Sequence, residues 1–358
     1  MKSCSVVPVE DEPASPTCVS YLLERFVFIK RLGKGEMSVI ARLDSTDTVP
    51  QQIVVKIMPL DSNARQDLSI ACQLNELHDA TPVFIQTWGW LACQEIPREW
   101  KQYMFSLPQG VDWSLPMLIF QVMDYSPESW ADKNTTLLAA EYESMLFLLL
   151  HGLYVARKQL GSFSHNDIHE GQILLQPCKP QTQITCMVEG VAIVVTCHRF
   201  LPKLIDFGLA SSKSLPFTSA DEYSYSDDNS DGEDMFESSS SMSDSSDVKD
   251  LLITFETRMR KDKIKPIVQR SELMLDAEIS DPSDYKAIAK VLLEDERFKK
   301  VTKKAHQPAV GVAHLCMVCA SPANFAWEKT RMTFCDARCE NKWKSIGPLI
   351  PRSVCSCP

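Results

Sequence analysis

Apolar and polar positions along the chain follow two different periods, and the change from one to the other predicts the elements. From Arg25 to Ile57 the runs FVFIKRL, VIARL and QIVVKIM are short and β-rich, and Gly33, Gly35 and an STDT turn punctuate them. That pattern predicts an antiparallel sheet. RQDLSIACQLNELHDA at 65–80 then places Leu68, Cys72, Leu74 and Leu77 at near-helical spacing, and LPMLIFQVMDY at 115–125 reads as a buried strand before a Pro-containing connector. The longest helical pattern is TLLAAEYESMLFLLLHGLYVARKQL at 136–160, with an apolar face wide enough for a core helix. Two further apolar runs follow, TCMVEGVAIVVTC and LPKLIDFGL, and helical patterning resumes at DVKDLLITFETRMRK and SDYKAIAKVLLEDERFKK. No internal repeat of 20 to 50 residues is visible. The elements together predict an α+β fold.

Composition changes this picture in three places. Residues 1–20 are acidic, Pro-interrupted and without period, and are expected to be a flexible tail. The net charge of −10 is concentrated: ten acids and no Lys or Arg lie between Ser214 and Val248, and the other 37 acidic side chains match the 37 basic ones. That Ser/Asp/Glu stretch holds too few aliphatic residues to offset the entropy of ordering, which predicts a disordered acidic insertion over 211–247. The longest apolar run, MLFLLL, is far short of the roughly 20 residues that span a bilayer, so no membrane anchoring is expected. Thirteen cysteines, most of them scattered singly as at Cys72, Cys93, Cys186 and Cys197, are expected to be reduced core residues of an intracellular protein.

Candidate chemistry falls in a definite order. LGKGEMSV at 32–39 reads as strand, Gly turn and return strand, in which Gly33 and Gly35 let backbone amides approach phosphates; a bare hairpin turn would look the same. About twenty residues later Lys56 stands among Val54, Val55 and Ile57, where it either points outward or pairs with an anion. HNDIHEGQILL at 165–175 offers Asp167, which can take the proton of an attacking hydroxyl. LIDFGLA at 204–210 presents Asp206 at the end of an apolar run, suited to hold Mg²⁺ against a nucleotide, with Gly208 free to turn.

This order and spacing resembles the protein kinase superfamily over roughly residues 21–305, with DFG intact at Asp206–Gly208 and HRD appearing as His165, Asn166, Asp167. The resemblance implies a bilobal kinase-like fold: an antiparallel β N-lobe over 21–125 and a mainly helical C-lobe over 126–305. It further implies ATP and Mg²⁺ as cofactors, with Gly33, Gly35, Val39 and Lys56 toward the nucleotide, Asp206 and Gln172 toward Mg²⁺, and protein Ser or Thr hydroxyls as acceptors. The H-x-D-x-H loop with His169, the β-type insertion at about 176–200 and the missing A-P-E resemble the haspin-like branch, and kinases of large DNA viruses depart in similar ways. Gln172 stands where the pattern has Asn, which keeps an amide oxygen on a stem one methylene longer. The acid partner of Lys56 is Asp67 by the haspin-like pattern, with Glu76 as the other candidate. DVKDLL resembles the buried helix after the activation segment, with Asp247 as its anchoring acid. A pseudokinase scaffold is the rival reading.

The C-terminal segment, 306–358, adds a separate expectation. CMVC at 316–319 and CDARC at 335–339 give two thiol pairs fifteen residues apart, a spacing suited to tetrahedral Zn²⁺ on Cys316, Cys319, Cys335 and Cys339. Phe325, Trp327 and Phe334 could supply a minimal core; His314, Cys355 and Cys357 are spare ligands or plain residues. TFCDARCENKW resembles the second half of a treble-clef or MYM/FCS-type finger, which implies protein or nucleic-acid binding. The serines among the acids suit an acid-directed kinase, and the acidic insertion could recruit a basic partner. Nucleus or cytoplasm is the expected location, or a host cell or virion if the chain is viral.

Overall fold

The computed structural model describes residues 18–34, 38–46, 52–101, 117–122, 128–130, 136–213, 247–264, 285–295, 298–304, 325–327 and 332–334. Helix α1 (Cys18–Arg25) precedes the first sheet, so the last three residues of the segment expected to be a loose tail are helical, and Leu22 is fully buried. Strands β1 (Phe26–Lys34), β2 (Val39–Ser45), β3 (Gln52–Pro59), β4 (Thr87–Cys93) and β5 (Met117–Val122) form one sheet in the order β1-β2-β3-β5-β4. Every pairing in it is antiparallel, as the alternation predicts. A short helix α3 (Arg98–Lys101) buries Trp100 against Phe28, ring centroids 5.8 Å apart.

Helix α2 (Ser62–Asn75) starts where Asp61 accepts a hydrogen bond from the Ala64 amide at 2.8 Å, an ordinary N-cap. Its two apolar faces serve different cores. Ala64, Leu68 and Cys72 pack on the five-stranded sheet. Ile70, Ala71 and Leu74 join a second, larger core built around α4 (Ala139–Leu160). The α2 helix therefore stands between the two cores. The segment after it crosses as well: the Leu204 amide donates to Val83 O at 2.7 Å and the Ile85 amide to Leu204 O at 3.1 Å.

The α4 helix is buried from Glu141 to Arg157 and ends at Gly161, whose φ of 77° is the left-handed cap that glycine adopts without strain. After it come β7 (Phe163–Ser164), a 3-10 turn at Glu170–Gln172, β8 (Ile173–Pro177), β9 (Thr182–Val188), β10 (Val191–Cys197), β11 (Phe200–Leu204) and β12 (Ser211–Ser212). β6 (Glu128–Ser129), β8 and β11 form one small sheet in the order β11-β8-β6, and β12 pairs with β7. The expected β insertion is the β9–β10 hairpin. Its two-residue turn, Glu189–Gly190, has positive φ at both positions, 47° and 79°, as a tight hairpin of this length favours. Helices α5 (Asp247–Lys261) and α6 (Tyr285–Glu294) pack on α4, and β13 (Thr302–Lys304) extends the hairpin along β10.

Two boundaries shift relative to expectation. Ser211 and Ser212, at the start of the acidic insertion, are paired in β12, and Asp247 at its end is the first residue of α5; residues 214–246 lie outside the described residues. Cys72, Cys186 and Cys197 are buried free thiols, but Cys93 is disulfide-bonded, contrary to the reading of all four as reduced. In the C-terminal segment β14 (Phe325–Trp327) and β15 (Met332–Phe334) pair as a hairpin; Cys316, Cys319, Cys335 and Cys339 lie outside the described residues. Among the described residues no helix is long and apolar enough to cross a membrane.

His151 of α4 ties stability to pH. It is fully buried, with Nε2 3.4 Å from Met187 O and Nδ1 without a hydrogen-bond partner. Burial pushes its pKa down to about 4, below an unfolded histidine near 6.5. Between those values the unfolded chain binds more protons, so stability is complete above pH 6.5 and is lost as the pH falls through 4. Denaturant unfolding at pH 7 and pH 4.5 should show His151→Gln losing about 2–3 kcal/mol less over that interval than the wild type. Equal losses in the two proteins would count against this account.

Candidate functional site

Strands β1 to β3 and helix α2 contribute to the group on the face of the sheet that α2 covers. Gly33 lies near the end of β1, paired with Ile40 of β2 rather than in the turn, and a Cβ there would meet no atom beyond its chain neighbours within 4 Å; Gly35 lies outside the described residues. Val39 opens β2, fully buried, and pairs with Ile57 of β3. Lys56 sits mid-β3, across from Ile40 of β2 and Phe120 of β5. Alternation turns its side chain to the face that α2 covers, and it is 6% exposed.

There the ammonium meets two carboxylates. Lys56 Nζ is 2.5 Å from Asp67 Oδ2 and 2.7 Å from Asp206 Oδ1. Of the two acids the sequence offered on α2, Asp67 makes this pair, and Glu76 stands at the far end of the helix as its C-cap. Asp67 is 1% exposed, and its other oxygen accepts the Phe207 amide at 3.1 Å. One carboxylate thus grips both the lysine and the backbone beside Asp206. Burial alone would lower the Lys56 pKa, but the charges of Asp67 and Asp206 outweigh it and hold it above the usual value. Burial likewise acts to raise Asp206, and the Lys56 charge, together with its hydrogen bond, overcomes that and keeps the carboxyl below the usual range.

Asp206 has φ of 65°, a left-handed backbone that costs a non-glycine residue about 1–3 kcal/mol and persists only where the surroundings hold it. The holding contacts are visible. His165 is fully buried, its Nε2 lies 3.0 Å from Ile205 O, and its ring stands edge-on to Phe207 at 5.6 Å. Phe207 in turn contacts Phe84 at 6.3 Å. The Ile205 amide donates to Gln172 O at 3.0 Å.

Asp167 and Gln172 complete the group. Gln172 Nε2 donates to Asp167 Oδ2 at 3.2 Å and reaches Asp206 Oδ2 at 3.5 Å, so one amide links the two aspartates. Asp167 keeps 41% of its side chain exposed, open to an incoming hydroxyl. His169 Nδ1 accepts the Gly171 amide at 3.0 Å, which leaves the proton of the neutral ring on Nε2, 3.6 Å from Asp167 Oδ2. Asp67, Lys56, Asp206, Gln172 and Asp167 therefore form one connected chain of contacts. Among the described residues no group of three or more His, Cys, Asp and Glu could hold a metal ion, and the oxygen set here is two aspartates and an amide.

Several supporting residues were not anticipated from sequence. Asn166, also left-handed at φ of 63°, donates through Nδ2 to Leu209 O at 2.8 Å and accepts from Ser164 Oγ. Its position in an Asn-Asp turn was the available signal, since Asn tolerates that backbone better than most residues. Asp247, the anticipated anchor, accepts the amides of His165 and Asn166, both at 2.9 Å, and lies 3.7 Å from Arg157 Nη2. Arg157 and Asp247 are both fully buried. Gln66 Nε2 donates to Ala210 O at 2.7 Å and Ser212 Oγ to Gln73 Oε1 at 3.0 Å, tying α2 to the chain beyond Asp206.

No protein-family model matches the chain, and no curated protein matches it. Among solved structures it is similar to a crystal structure described as a kinase domain, at 18% identity and a TM-score of 0.34; the match covers 53% of this chain and 52% of the other, so the chain spans about half the length of that relative.

Proposed function

We propose that the chain has a divergent protein-kinase-like fold and transfers the γ-phosphate of ATP to Ser or Thr hydroxyls of proteins. The observation that carries this reading is the convergence of Lys56, Asp206 and Asp167 within one hydrogen-bonded group. Lys56, held cationic, is placed to neutralise nucleotide phosphates, as phosphoryl transfer depends on positioning and charge neutralisation more than on covalent chemistry. Asp206 and the Gln172 amide oxygen, if the amide turns, are hard oxygen donors that fit Mg²⁺, which would supply charge neutralisation at the phosphates. Asp167 would orient the acceptor hydroxyl and take its proton. Gly33 and Val39 would border the nucleotide. Transfer of label from γ-labelled ATP and Mg²⁺ to a mixed protein substrate, present in the wild type and lost in Lys56→Met, supports the reading; no transfer and no nucleotide binding by the wild type would overturn it.

Gln172 favours a second reading. Its amide nitrogen faces both aspartates, so in this orientation it offers them a donor and not an oxygen that could help hold a cation. A scaffold that binds nucleotide or partners without turnover would show nucleotide binding with no transfer. His169 refines the first reading: its Nε2–H faces Asp167 at a distance too long for a full hydrogen bond in this state. His169→Ala is expected to lower kcat about 10-fold, roughly 1.4 kcal/mol, with the KM for ATP little changed. An unchanged kcat would remove His169 from the account.

A further inference from the structure

We propose that Cys178 and Cys197 are a paired thiol site that closes to an intramolecular disulfide, clamping the neck of the β9–β10 hairpin. The proposal is independent of phosphoryl transfer. β8 and β11 run antiparallel up to the pair Pro177 and Phe200, and the ladder continues one step further, where the Cys178 amide donates to Arg199 O at 2.8 Å. Cys197 ends β10 and returns the chain to β11, with its thiol donating to Phe200 O at 2.9 Å. The two strands of the ladder thus bring the sulfurs together: Cys178 Sγ and Cys197 Sγ are 2.7 Å apart, closer than ordinary contact between unbonded sulfur atoms and approaching a disulfide bond of about 2.05 Å. Neither residue belongs to the group around Asp206.

The surroundings give the two sulfurs different parts. Cys178 is half-buried, while Cys197 is 1% exposed. The hydrogen bond with Cys178, burial and the nearby Glu141 carboxylate all hold the Cys197 thiol well above its usual pKa. Cys178 is therefore the sulfur that meets a dissolved oxidant, and Cys197 resolves the adduct. With oxidised glutathione as the oxidant, Cys178 gives up its proton and its sulfur attacks one glutathione sulfur, breaking that S–S bond and releasing a glutathione thiolate. Cys197 Sγ, giving up its own proton, then attacks Cys178 Sγ and expels the second glutathione thiolate. Two protein thiols are oxidised to one disulfide, and one glutathione disulfide is reduced to two thiols. Cys186, fully buried and one strand away, has no sulfur partner among the described residues.

The full chain, reduced and desalted, is incubated across a series of reduced to oxidised glutathione ratios and blocked with N-ethylmaleimide. It is then cut without reduction by a glutamate-specific protease, which cleaves at Glu189 between the two cysteines. Mass spectrometry should find the Cys178–Cys197 cross-link absent in fully reduced buffer, the majority species in fully oxidised buffer, and reversed by dithiothreitol. The link should persist in Cys186→Ala and vanish in Cys178→Ser. Both cysteines carrying maleimide at every ratio, or Cys178 ending as a stable glutathione adduct with Cys197 still free, would overturn the proposal.

Discussion

Replacing Asp167 with Asn is expected to lower phosphoryl transfer by about 10²–10⁴-fold while leaving nucleotide affinity and thermal stability near those of the wild type. A positioned general base contributes an acceleration of that order, and the amide that replaces it can neither take a proton nor draw the acceptor hydroxyl by charge. The side chain is 41% exposed and, among the described residues, its one hydrogen bond comes from the amide of Gln172 at 3.2 Å, so the fold asks little of it. Steady-state kinetics with γ-labelled ATP, paired with nucleotide binding by calorimetry, makes the comparison. Equal turnover in wild type and Asp167→Asn would sink the assigned role, and absence of turnover in both with binding intact would favour the scaffold.

Asp247→Ala should have the largest effect on stability. Its carboxylate accepts two backbone amides at 2.9 Å, lies 3.3 Å from Ser164 Oγ, and stands 3.7 Å from the guanidinium of Arg157, all without solvent contact at the acid. Truncation removes the acid beside a buried cation and leaves two buried N–H groups unsatisfied, a change worth about 3–5 kcal/mol. Against a total stability of about 5–15 kcal/mol, that is a large part of what holds the chain folded. The denaturant midpoint should fall steeply in Asp247→Ala and by less in Asp247→Asn, whose oxygen still accepts one amide. A midpoint unchanged in both would show that the loop of Asn166 and Asp167 stands without this anchor. Because the two amides belong to His165 and Asn166, any folded fraction of Asp247→Ala should also be impaired in turnover.

Much of the site was legible because its signals are local. Lys56 announces itself as the one charge in an apolar strand, and Asp206 as an acid leaving an apolar run for Phe-Gly; neither reading needs to know what lies opposite. The choice between Asp67 and Glu76 is different in kind. Both lie on one helix, and only the rotation of α2 between its two cores turns Asp67 toward Lys56 and the Phe207 amide. Asn166 was read only as the middle residue of the HRD-like motif and Arg157 was not singled out, since an exposed-looking Asn and a charge near a helix end carry no mark of what they touch. Cys93 and Cys197 read alike in sequence, as single cysteines in apolar runs, yet one is in a disulfide and the other faces a second thiol.

The sequence by itself determined the antiparallel sheet, the long buried helix, the β hairpin after the Asp167 loop and the order of the residues that bear chemistry, because periodicity and turn chemistry act between neighbours a few positions apart. Only the tertiary structure decided that Lys56 meets Asp67 and Asp206, that Gln172 spans two aspartates, that Asp247 holds the loop before it and that Cys178 faces Cys197. Those contacts join positions up to 150 residues apart in the chain, and their geometry is set by how helices and sheets pack, which no short window of sequence contains.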